Sequence, residues 1–125
     1  MTPALALAVA AGGALGAVLR YVITVALAGR ERPPGPVVLV NVVGSLISGA
    51  AMGAIDDPAV LIVVVTGFCG GLTTFSTLSV ETVQLVMDGR ARRAVGGMLV
   101  NLVAGTLAVA LGAVAVGTAS AIFGT

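Results

Sequence analysis

The chain has 125 residues, 58% of them hydrophobic and 9% charged, with no His, one Cys and a formal net charge of +1; its mean hydropathy is +1.18. Soluble domains keep roughly a quarter of their residues charged, so this composition belongs in a bilayer. The lack of His and the lone Cys exclude His-based catalysis, an internal disulfide and a Cys/His metal centre, and the arginines, with no basic cluster beyond "GRARR", exclude a nucleic-acid surface.

The Ala-rich start, "MTPALALAVAAGGALGA", lacks the positively charged lead of a cleaved signal peptide, and its apolar run continues past Arg20. It reads as a first membrane helix kept in the mature chain. About 20 apolar residues cross the hydrocarbon as helix. Four windows qualify: residues 4–28, 36–55, 59–86 with an interruption near 70–77, and 94–117. The expected fold is therefore an all-α membrane protein, one four-helix domain over residues 1–125 with a break in the third helix. The separators "GRERPPG", "DDP" and "DGRARR" hold the turn formers and nearly all the charges, as loops at the water interface require. Pro33, Pro34 and Pro36 cannot donate backbone hydrogen bonds, so the second helix starts just after them. Asp56, Asp57 and Pro58 end that helix and open the third in a tight reversal.

Loops one and three share a side of the membrane and hold Arg30, Arg32, Arg90, Arg92 and Arg93, whereas the termini and the second loop carry no Arg or Lys. This asymmetry predicts that loops one and three are cytoplasmic and both termini outside. Small residues recur four apart: Gly12 and Gly16, Gly49 and Gly53, Gly67 and Gly71, then Gly97, Asn101 and Gly105. In lipid that spacing lets helix backbones approach closely. Four short helices bury little among themselves, so a dimer or larger assembly is expected.

Several polar residues stand where lipid tolerates few. Asn41, Ser45 and Ser48 share one face of the second helix. They are either interhelical glue and self-bonded serines or donors lining a path. Arg20, near the end of the first span, either anchors and packs or contacts an ion. In "TGFCGGLTTFSTLSVET", residues 66–82, Gly70 and Gly71 weaken the third helix, and Thr73, Thr74, Ser76 and Thr77 can pair with backbone groups that a break sets free. Irregular backbone survives at membrane depth only when buried in protein or lining a cavity. There it offers carbonyls to cations and N–H groups to anions. Phe75 sits among the hydroxyls, and its electropositive ring edge suits a small anion. A Gly/Thr-rich packing kink is the plainer alternative.

At "GGALGAVLRY" (12–21), "NVVGSLISG" (41–49), "GFCGGLTTFST" (67–77) and "NLVAGT" (101–106) the chain resembles the fluoride channel family known as Fluc or CrcB. The resemblance implies a small four-helix protein of the cell membrane that pairs as an antiparallel, dual-topology dimer and lets fluoride leave the cytoplasm passively, selected against chloride. It would make Asn41 the second-helix donor beside the ion path and Phe75 the first of a pair of phenylalanines with its edge toward the anion. Ser76 and Thr77 would join the hydroxyl track, and Glu81 would match the acid that follows it. Backbone carbonyls of Gly70 and Thr73 would hold a structural sodium ion, and Arg20 would match the first-helix arginine. Dense neutral donors suit fluoride, which is small and tightly hydrated and must still be released.

The chain departs from that pattern twice. The second phenylalanine's position holds Leu78. A Tyr and a Ser expected four apart in the fourth helix are replaced by Gly97 and Asn101, of which only Asn101 can donate. Together with the one-sided charge, this raises a heterodimer with a homologous chain of opposite orientation beside the homodimer. Two other classes compete. A proton-coupled four-helix exporter needs a membrane-embedded carboxylate in its first helix, and residues 4–28 contain none. A non-conducting membrane subunit would pass no ions in any pairing.

Overall fold

The computed structural model describes residues 1–29 and 35–124. The loop-one charges Arg30 and Arg32 and the helix-opening role of Pro33 and Pro34 lie outside the described residues. The first helix, α1 (Pro3–Ala26), starts where Thr2 accepts a hydrogen bond from the Leu5 N–H and a proline fills the first helical position. Helix α2 (Pro36–Ala54) also opens on proline, and ends in extended backbone at Ile55. Asp57 then caps α3 (Pro58–Ile62), taking the N–H groups of Ala59 at 2.8 Å and Val60 at 3.2 Å. The tight reversal expected at Asp56–Pro58 is present.

The third span runs on from α3 through a π-helical stretch, Val63–Cys69, and one further turn, α4 (Gly70–Leu72). It breaks at Thr73 and Thr74, both extended, and resumes as α5 (Phe75–Met87). The break is narrower than the 70–77 expected. Gly70 and Gly71 remain helical, and Ser76 and Thr77 belong to the first turn of α5. After a turn with Gly89 at φ 74°, α6 (Ala91–Phe123) has 33 residues, well beyond the expected 94–117. At 1.5 Å per residue it is about 50 Å long, against roughly 30 Å of hydrocarbon, so its ends reach into the interfaces. Among the described residues, four segments are long and apolar enough to cross a membrane.

The spans pack as two close pairs. Helix α1 lies against the first half of the third span. A methyl group at Gly16 would run into the Phe68 carbonyl and lie 2.8 Å from the Leu72 nitrogen, and one at Gly71 would strike the Gly13 carbonyl. Helix α2 lies against α6 in the same way, with Gly49 on the Val109 carbonyl and Gly112 on the Leu46 carbonyl. Backbones this close gain dispersion contacts that lipid alone does not supply. Gly97 has nothing within 4 Å, whereas Asn101 bonds to Asn41, a methyl group at Gly105 would lie 3.5 Å from Ser45 Oγ, and Gly112 makes the closest backbone approach of α6 to α2.

Among the described residues the buried apolar core is small: Val37, Val40, Ala51, Cys69, Leu72, Ala94 and Ala108. The chain exposes 8063 Å², whereas a compact folded chain of 12.1 kDa exposes about 6000 Å². Large apolar side chains such as Leu7, Leu15, Leu102 and Leu111 stand outward, facing lipid or another protein.

Candidate functional site

The break sets free the backbone groups from which the site is built. In an unbroken helix the Thr74 N–H would bond the Gly70 carbonyl. Here it donates to Asn41 Oδ1 at 2.8 Å, while Asn41 Nδ2 donates to the Thr74 carbonyl at 3.2 Å. One side-chain amide thus satisfies both polar groups of a single peptide residue. The same Nδ2 donates to Asn101 Oδ1 at 2.8 Å, tying α2, the break and α6 together. Arg20 reaches from α1 and donates through Nη1 to the Thr73 carbonyl at 3.0 Å. Among the described residues no backbone N–H reaches the carbonyls of Gly70, Gly71 or Leu72, which are the open C-terminal end of the half-helix.

Thr74 is the buried centre of this arrangement. Its hydroxyl caps α5 by accepting the Thr77 N–H at 3.2 Å, and it pairs with the Thr77 hydroxyl at 2.9 Å and the Ser76 hydroxyl at 3.3 Å. From the sequence Thr74 reads as a partner for freed backbone; its N-cap role has a sequence signal too, because a Thr that follows a helix break and precedes a new apolar-periodic run has the residue type and place of an N-cap.

Two grooves meet at Thr74. The larger, about 550 Å³, lies between Asn41 and Ser45 of α2, Phe75 and Leu78 of α5, and Asn101 of α6. The smaller, about 280 Å³, is flanked by Arg20, Tyr21 and Thr24 of α1 and by Thr77 and Glu81 of α5. Thr74 lines both. The structure therefore gathers Asn41, Ser45, Phe75 and Asn101 around one groove and Arg20, Thr77 and Glu81 around the other. Ser48 lies outside both and donates to its own Gly44 carbonyl at 2.8 Å. Ser76 is exposed, joined to the rest through Thr74. Phe75 is 78% exposed, so a large part of its ring projects beyond this chain. Leu78 shares the groove with Phe75, in the place where the resemblance leads one to expect a second aromatic ring.

A chain with four helices, among the described residues, long and apolar enough to span a membrane, one of them broken beside a largely apolar groove that carries a few amide and hydroxyl groups, is a small multi-pass membrane protein. The family described as CrcB-like protein, camphor resistance (CrcB), matches residues 7–113. This chain belongs to that family and is a multi-pass protein of the cell membrane. It is 48% identical over 114 residues to "Fluoride-specific ion channel FluC 2" of Natronomonas pharaonis, covering 91% of this chain and 95% of the relative. The corresponding protein "FluC 1" of Halobacterium salinarum is 47% identical over 106 residues, covering 85% and 88%. "Fluoride-specific ion channel FluC" of Pseudomonas aeruginosa is 40% identical over 113 residues, covering 85% and 88%.

Proposed function

We propose that this chain forms a fluoride-selective channel that lets fluoride leave the cytoplasm passively, and is not an enzyme. The observation that carries the reading is the groove at the break, which gathers amide and hydroxyl groups and an aromatic ring with no Arg or Lys in its lining. Neutral donors replace part of an anion's water without holding it as tightly as a fixed charge would, which conduction requires. The names of the relatives supply the ion.

The assembly proposed is a dimer of antiparallel chains, supported by the outward projection of Phe75 and by the large exposed apolar area. A structural sodium ion would bind where the two breaks meet. Hard cations gather several oxygen ligands, and the residues fit in kind: the Gly70 carbonyl lacks a backbone donor, and the Thr73 carbonyl keeps one lone pair beyond its bond to Arg20. Two such oxygens per chain are few, so the second chain would complete the set. Its role there would be to hold the halves together, not to touch the anion.

A heterodimer with a homologous chain is the second reading. Leu78 in the groove, the open surface at Gly97 and the one-sided arginines favour it. Fluoride efflux from liposomes, recorded with this chain alone and mixed with a homologue, tests both. Passive efflux resistant to chloride substitution is expected. Proton-driven uptake of an organic cation, or no flux in any pairing, would overturn the channel reading, and full-rate efflux from this chain alone would overturn the heterodimer.

A further inference from the structure

The inventory of free donors in the larger groove distinguishes its two asparagines. An Asn side chain has two N–H donors and one carbonyl oxygen. In Asn41 both donors are committed, to the Thr74 carbonyl at 3.2 Å and to Asn101 Oδ1 at 2.8 Å, and its oxygen holds the Thr74 N–H at 2.8 Å. The Thr74 N–H can only donate, so it settles which end of the Asn41 amide faces it. The bond to Asn101 then settles that amide too, because the atom receiving an N–H must be oxygen.

Asn101 is left with its nitrogen turned away from Asn41. It is 9% exposed, and Nδ2 makes one long contact, 3.4 Å to the Gly97 carbonyl. That distance lies beyond the usual range for N–H···O bonds, and it occupies at most one of the two N–H groups. The other has no acceptor among the described residues. Ser45, across the same groove on α2, makes no side-chain hydrogen bond among the described residues, whereas Ser48, Ser76 and Ser79 do. The remaining polar side chains of the groove are engaged: the Thr73 hydroxyl with the Cys69 carbonyl at 2.9 Å, and the Thr74 hydroxyl with Ser76 and Thr77. An amide N–H at membrane depth without an acceptor is costly, and in a groove it is a place for a ligand that accepts.

We infer that the anion in this groove is received by Asn101 Nδ2 and the Ser45 hydroxyl, and that Asn41 is a positioning residue which aims Asn101 without donating to the ion itself. The ligand class is a small hard anion. The inference rests on the channel reading for its functional consequence and on the hydrogen-bond geometry for the donor assignment. Asn41 acts in two ways. It holds the Thr74 peptide that places Phe75 at the groove, and it captures the Asn101 oxygen so that only N–H groups of Asn101 face the anion.

The test combines a binding measurement on the wild-type protein with flux through variants. Side-chain amide resonances of the detergent-solubilised full chain are followed while sodium fluoride is titrated against matched sodium chloride. The Asn101 amide is expected to shift saturably with fluoride, by several times the shift of the Asn41 amide. A larger shift at Asn41, or no shift at Asn101, would overturn the assignment. In liposomes, Asn101→Leu and Asn101→Asp are each expected to lower fluoride efflux at least 100-fold. Asn101→Ser, which keeps a donor, is expected to stay within 10-fold of wild type. Wild-type efflux from Asn101→Leu would overturn it as well. Absence of efflux from the wild type, with the Asn101 shift intact, would strike the channel reading and leave the donor assignment standing.

Discussion

A side-chain amide replaces a strand at the break: Asn41 bonds the N–H and the carbonyl of Thr74 as a neighbouring peptide would in a sheet. Removing it strands both groups, and Asn101 Oδ1 with them. Each buried polar group left without a partner costs about 1–3 kcal/mol, so Asn41→Ala is expected to destabilise the protein by about 3 kcal/mol or more. Asn41→Asp, which keeps the acceptor for Thr74 but loses both donors, should fall between that variant and wild type. Thermal unfolding of the purified protein in detergent checks the order. Asn41 was legible in the sequence as a polar residue inside a span, and Asn101 as a surviving donor. Their bond was not, because helical spacing reports which residues share a face and says nothing of a partner 60 positions away. Ser48 illustrates the same limit. Its spacing grouped it with Asn41 and Ser45 and left two roles open, and its hydroxyl takes the one of bonding its own helix.

Between elements, glycine seams do the packing. A methyl group at Gly16 meets the Phe68 carbonyl and the Leu72 nitrogen, and both are backbone atoms that cannot swing aside. Gly16→Ala is therefore expected to cost about 2 kcal/mol, in the range of overpacked cores, and to lower the yield of folded protein on size-exclusion chromatography. Gly96→Ala, where nothing lies within 4 Å of the added group, should behave as wild type in the same assay. The four-residue spacing revealed the seams at Gly12, Gly16, Gly67 and Gly71 because close approach in lipid demands small residues at that period. It misled at Gly97, since glycine also occurs where no neighbour comes near. The break was visible because Gly70 and Gly71 are followed at once by a run of hydroxyl residues, Thr73, Thr74, Ser76 and Thr77, a density that close packing alone does not call for. The π-helical stretch was not: three successive valines, stiff at χ1, are as common in ordinary membrane helices.

On the scale of the whole molecule, charge sets orientation. Arg90, Arg92 and Arg93 lie exposed where α5 passes into α6, on the side predicted to face the cytoplasm. The buried thiol of Cys69, 2% exposed, should stay silent toward a membrane-impermeant maleimide. Thr2→Cys then reports orientation alone. Labelling of intact cells at that position from outside, without a protected fraction, is the outcome expected of the heterodimer, in which this chain has a single fixed orientation; equal protected and labelled fractions would mean that copies insert both ways, as an antiparallel homodimer requires. How the third span serves two masters follows from Val63–Cys69. A π-helical bond encloses one residue more than an α-helical bond, so this stretch stores slack, a spare length of chain between Asp57 at one end and Thr74 at the other. Loss of one residue there can be absorbed by winding the turn as α-helix. The same loss from Gly70–Leu72 has nothing to absorb it and would swing Phe75 about 100° around the axis, away from Asn101. The span is thus forgiving in its first half and intolerant in the turn before its break.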